Sequence, residues 1–118
     1  MLELSHKNLD VWKLSINFVL NVYKISSKYP KEELFGLTAH TRRSSVYVPS
    51  NIAEGSARKS PLEKIRYYEI SRASLVETDT QIEIANGLGF LSLDDYKILN
   101  DEINTIFAKL SRLMESVR

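Results

Sequence analysis

The 118 residues include no cysteine, four glycines and three prolines, with 43% hydrophobic and 26% charged side chains and a formal net charge of +1. That length suits one domain with a modest core, and so little Gly and Pro argues against a loop-rich or all-β chain. Without cysteine there are no disulfides and no thiol catalysis. No apolar run approaches the roughly 20 residues of a membrane span, and Met1–Lys7 lacks a signal-peptide pattern. A single domain over 1–118, cytoplasmic and with no membrane partner, is expected.

Residues 1–8 read as a short extended tail. A first helix is predicted over about 9–28, ending before Tyr29-Pro30 because a proline disfavours helix in the residue ahead of it. Leu9, Trp12, Ile16, Val19 and Tyr23 form one apolar stripe at spacings of three and four; Val11, Leu14, Phe18, Val22 and Ile25 form a second. Together they cover more circumference than the single face a small monomeric bundle buries. The second stripe, from Val11 to Ile25, is therefore expected to be an intersubunit seam.

A second helix is predicted over about 33–57. Glu32 and Glu33 suit the positive end of its dipole, and a kink is expected at Pro49, which lacks a backbone donor. Ser60-Pro61-Leu62-Glu63 has the order of an N-cap, a first-turn proline and a capping-box glutamate. It opens a third helix over about 61–86 that ends at Gly87 or Gly89. Ser92-Leu93-Asp94-Asp95 is a second cap signal, opening a fourth helix over about 93–117. There Tyr96, Leu99, Ile103, Ile106, Leu110, Leu113 and Val117 repeat at 3, 4, 3, 4, 3, 4, a heptad period. Four such helices with short connections make an all-α, antiparallel up-down-up-down four-helix bundle about 30–40 Å long.

Catalytic patterns are thin. A carboxylate-bridged metal centre needs two Glu-x-x-His motifs, and Glu3 to His6, in the tail, is the one present; no cofactor is expected. His40 and Ser44 lie four apart, without a third group to orient them as a base and nucleophile. The acids Asp94, Asp95, Asp101 and Glu102 suit a solvated helix face. Trp12 and the tyrosines 23, 29, 47, 67, 68 and 96 mostly sit at core-like spacing, so packing is preferred to base stacking; of the adjacent pair Tyr67-Tyr68, one must look outward. An enzyme is not expected.

Charge is segregated behind the small net value. Residues 38–75 hold seven basic residues against three acids, and residues 76–118 hold four against eight. Such halves suit head-to-tail pairing of subunits or a basic face on a polyanion. Arg42, Arg43, Arg58, Lys59, Lys64 and Arg66 are the candidate phosphate contacts. The bland alternative pairs Arg42 or Arg43 with Glu54 or Glu77 across subunits. Within Pro49, Asn51, Ala53, Glu54 and Gly55 a structural role is expected, with Ala53 and Gly55 admitting a neighbouring helix closely.

The run Gly36-Leu37, then Arg42-Arg43-Ser44-Ser45-Val46, then Pro49-Ser50-Asn51-Ile52-Ala53-Glu54-Gly55 and Arg58, resembles the 23S ribosomal RNA intervening-sequence proteins. Leu9-x-Val11-Trp12-Lys13, Ser74-Leu75-x-Glu77-Thr78 and Gly87-Leu88-Gly89-Phe90 extend the resemblance over nearly the whole chain. It departs at His40-Thr41, where the family more often has glutamine and an apolar residue. The resemblance implies a non-enzymatic antiparallel four-helix bundle that assembles as a homopentamer. The implied partners are further copies of itself, RNA or a ribonucleoprotein, or a reverse transcriptase as in a related branch. Two expectations follow: an RNA-associated adaptor with a basic surface, or a protein-interaction scaffold without nucleic-acid contact.

Overall fold

The computed structural model describes residues 1–118 and contains four long helices: α1 (Asp10–Ser26), α2 (Leu37–Ser56), α3 (Pro61–Gly87) and α4 (Leu93–Val117). There is no strand, so the all-α fold stands as expected. Each helix packs on the next, and α4 returns to α1, in a body 43 × 27 × 20 Å across. Short 3-10 turns at Ser5–Asn8 and Lys31–Glu33 precede α1 and α2.

Local chemistry sets the helix ends. Glu63 N donates to Ser60 Oγ (3.0 Å) and Asp95 N to Ser92 Oγ (3.1 Å), so both predicted N-caps satisfy an otherwise orphaned donor. Of the two candidate glycines after α3, Gly89 is the one at positive φ (79°). Gly89 N bonds Asn86 O, and Phe90 N bonds Ala85 O, the paired closure of a Schellman motif. Phe90 then meets the buried Tyr29 ring at 5.7 Å, tying this turn to the end of α1.

All four helices feed one core of sixteen side chains, with Phe18, Ile52, Leu75, Leu99, Ile106 and Leu110 almost fully buried. On α4 the buried series is Leu99, Ile103, Ile106, Leu110 and Met114. The last step lands on Met114 rather than the heptad's Leu113 because a straight helix gains about 20° per heptad on a 3.5-residue repeat. The α2–α3 seam is different: it buries Thr38, Thr41, Ser44, Ser45, Ser71, Ser74 and Thr78. Most of their hydroxyls are satisfied close by, Thr41 on Leu37 O (2.8 Å), Ser45 on Arg42 O (2.7 Å), Thr78 on Ser74 O (2.8 Å) and Ser71 across the seam on Val48 O (2.8 Å). Small residues let the two backbones approach, and internal bonding removes most of the cost of burying oxygen.

Three expectations are corrected here. The stripe assigned to an intersubunit seam lies mostly inside the chain: Val11, Phe18, Val22 and Ile25 are core residues, and Leu14 packs partly buried against them. Sandwiched between α2 and α4, α1 turns this stripe inward; of the other, Leu9 and Trp12 still pack partly buried against the core, Ile16 and Val19 are half-buried and Tyr23 is exposed. Residues 5–8 are no free tail, since His6 is buried edge-on against Trp12 at 5.1 Å. The second helix starts at Leu37, later than expected, because Lys31–Glu33 close a separate turn; it then continues through Pro49 as one element.

Candidate nucleic-acid interface

The six basic residues singled out above divide into two kinds. Arg42 donates from Nε to Ser26 Oγ (2.9 Å) and from Nη2 to Tyr23 O (3.2 Å), and its guanidinium lies 4.7 Å from the Tyr23 ring centre. It closes the C-terminus of α1, where carbonyls lack partners and a cation suits the dipole. Lys64 Nζ does the same for α2, donating to Ser56 O (3.0 Å). Arg58 pairs with Glu54 (3.0 Å), donates to Tyr67 Oη (3.1 Å) and stacks 4.7 Å from that ring, its Nε buried without an acceptor. These three hold the fold together.

Arg43, Lys59 and Arg66 are exposed. None has a carboxylate within 4.0 Å; the four ion pairs are Lys28–Asp95, Arg58–Glu54, Lys109–Asp10 and Arg118–Glu115. At 1.5 Å per residue, Arg43 and the Arg58–Lys59 junction are about 22 Å apart along α2. The free cations thus sit in three places, Lys59 in the α2–α3 turn, Arg66 near the start of α3 and Arg43 in the first half of α2. Of the two acids named as cross-subunit partners for Arg42 or Arg43, Glu54 is paired with Arg58 within its own chain, while Glu77 is exposed and has no ion pair.

Around Pro49 the short motif does structural work. A Cβ on Gly55 would sit 2.8 Å from the Tyr68 ring and 3.1 Å from Lys64 O, so only glycine admits α3 this closely. Asn51 Nδ2 donates back to Tyr47 O (2.8 Å). Ala53 and the buried Pro49 line a hollow with His6, Trp12, Ile16, Val19, Leu20, Val46 and Ser50.

That hollow is half of a larger apolar face. A second one, sharing Val46, is lined by Tyr23, Leu34, Phe35 and Ala39, with Arg42, Arg43 and Tyr47 at its border. Phe35 is 89% exposed and Leu20 61%. Sequence periodicity found both α1 stripes but pointed the wrong one outward, and it missed Leu20, Leu34 and Phe35, the most exposed apolar residues of this face. The tyrosines split likewise: Tyr29 and Tyr68 are buried, Tyr67 faces Arg58, and Tyr23 and Tyr47 stay exposed.

His40 and Ser44 do not form a catalytic couple. Ser44 Oγ is buried against Thr78 Oγ1 (2.7 Å) and Gln81 Oε1 (2.8 Å), while His40 is exposed. On the acidic half, burial raises the Asp79 carboxyl, with Glu83 adding to the effect. Burial also raises Glu102, opposed by a hydrogen bond from Asn21 Nδ2 (3.0 Å). Asp95 pairs with Lys28 at 2.9 Å, so it and Glu102 are not the freely solvated acids expected. Burial pushes the Tyr29 phenol up to about 12, with Asp95 reinforcing it.

The family model described as 23S rRNA-intervening sequence protein matches residues 7–112. A solved structure from Bacteroides thetaiotaomicron VPI-5482, a protein with unknown function from the S23 ribosomal protein family, superposes with a TM-score of 0.82. It is 19% identical, over 89% of this chain and 95% of that one. At that identity the likeness is one of fold. No curated protein matches the sequence. No helix is long and apolar enough to cross a membrane.

Proposed function

Given that this chain belongs to the 23S rRNA-intervening sequence protein family, we propose that it is a non-catalytic adaptor that assembles with copies of itself and associates with RNA or a ribonucleoprotein. The observation carrying this reading is the apolar face running from Trp12 and Ile16 through Leu20 and Tyr23 to Leu34 and Phe35. Apolar patches of such extent on small domains mark interaction surfaces. Opposite charge on residues 38–75 and 76–118 favours a head-to-tail contact, which closes into a ring when the rotation permits, a pentamer being the form the resemblance implies. The RNA contacts in this reading are Arg43, Lys59 and Arg66, the cations with no internal partner.

Light scattering on the purified chain tests assembly: a mass several times 13.5 kDa is expected, falling to one chain on Leu20→Glu with Phe35→Glu. A wild-type protein that stays at 13.5 kDa in concentrated solution refutes it. For RNA, the logarithm of affinity should fall with the logarithm of salt at a slope of about 2 per chain for three phosphate contacts to a single strand. Replacing Arg43, Lys59 and Arg66 by alanine should flatten that slope. A second reading, a protein scaffold without nucleic-acid contact (for instance a reverse-transcriptase partner), draws support from the engagement of Arg42, Arg58 and Lys64 within the fold. It predicts assembly without any gel shift.

A further inference from the structure

A groove between α2 and α3 is lined by His40, Arg43, Ser44, Tyr47, Glu77 and Gln81, enclosing about 280 Å³. Positions 40, 43/44 and 47 on α2 and 77 and 81 on α3 are spaced so that each set shares one helix face. Unlike the apolar hollows on the α1 side, this groove has a single hydrophobic lining residue, Tyr47. Arg43 and Glu77 carry opposite charges on its two walls, yet neither pairs with the other or with any charge in the chain. The Gln81 side-chain amide meets Ser44 Oγ at 2.8 Å, which fixes Gln81 on the groove wall.

We propose that this groove holds one guanine base, stacked on Tyr47, with Glu77 and Arg43 reading its two edges. The assignment deepens the RNA reading above, moving Arg43 from a phosphate to a base edge and leaving Lys59 and Arg66 on the backbone, and rests on it only for the source of the base. Guanine presents two adjacent donors, N1–H and the N2 amine, to a carboxylate, and two adjacent acceptors, O6 and N7, to the forked donors of arginine. Adenine places an acceptor at N1 and would meet Glu77 with repulsion. Unpaired RNA bases are bound in this way, stacked on an aromatic ring and hydrogen-bonded along their edges. Tyr47, 47% exposed, offers such a ring. The volume suits one planar base rather than a drug-sized ligand.

Calorimetric titration of the full chain with GMP, AMP, CMP and UMP tests the site. GMP should bind at least tenfold more tightly than AMP. Glu77→Gln should erase that preference, and Tyr47→Ala should weaken GMP roughly tenfold while Tyr47→Phe does not. Arg43→Lys should not restore what Arg43→Ala loses, since lysine lacks the fork. All these side chains except the half-exposed Tyr47 reach solvent freely, and unchanged helical circular dichroism verifies folding. Four nucleotides binding alike, or a preference untouched by Glu77→Gln, overturns the proposal.

Seven-residue uridine RNAs with one central guanosine, inosine or adenosine separate the sources. Preference in the order guanosine, inosine, adenosine supports an RNA base, because inosine lacks the N2 amine. GMP binding without RNA binding keeps the site, assigns it to a free nucleotide and removes the RNA part of the function above. Salt-sensitive RNA binding that ignores guanine overturns the site and leaves the basic-surface reading standing.

Discussion

The two sides of the bundle are held together by different chemistry. The core that α1 and α4 share is made of large apolar side chains, Phe18 and Val22 from α1 and Leu99, Ile106 and Leu110 from α4. Between α2 and α3 the contact is made largely by hydroxyls and one glycine, with Ser44, Ser45, Ser71, Ser74 and Thr78 in the seam and Gly55 under the Tyr68 ring. The first side relies on the area of oil removed from water. The second relies on close backbone approach with most of its buried hydroxyls bonded. A helix can therefore sit centrally without a strong apolar stripe, provided its small polar residues find internal acceptors.

The largest effect should come from the oily side. Phe18→Ala removes a fully buried ring and should lower stability by about 3–5 kcal/mol, read from the urea midpoint. A loss below 1 kcal/mol would mean that the α1–α4 contact is not the main source of stability. On the close-packed side, Gly55→Ala should cost about 1–2 kcal/mol net. Its methyl group would press on the Tyr68 ring and on Lys64 O, outweighing the gain of up to about 1 kcal/mol that alanine brings to a helix. Stabilisation instead would show that the seam has slack.

The smallest effect concerns the polar link on the oily side, Asn21 to Glu102. Burial raises the Glu102 pKa above its ordinary 4.5, so the ionised form costs stability above the raised value. That cost is lost as pH falls through the folded-state pKa, because the native chain then holds the proton more tightly than the unfolded chain. Glu102→Gln should be more stable than wild type at pH 7 by about 0.5 kcal/mol, the scale of change at a partly exposed position. The gap should close toward pH 4.5. A gap that is constant with pH would assign the effect to packing rather than charge.

Much of this was readable along the chain. Ser60 and Ser92 as caps, the α4 repeat and the glycine stop after α3 are local features, decided by residues within a few positions of one another. Less was readable wherever a residue's role depends on what lies opposite. The two stripes of α1 are equally periodic, and their spacing does not say which faces inward. Arg42 and Arg43 are adjacent and alike in charge, yet one closes the end of α1 and the other stays free.

By itself, then, the sequence determined the four helices, the capped starts of α3 and α4, the glycine stop after α3 and the all-α class, because hydrogen bonding and capping act over a turn or two. Tertiary structure decided which α1 stripe is core, which cations remain for a partner, and that His40, Arg43 and Tyr47 share a groove with Glu77 and Gln81. Those outcomes depend on contacts between different elements, from Lys64 on Ser56 O, eight positions back, to the groove's α2 and α3 walls, thirty or more positions apart, and not on any local pattern.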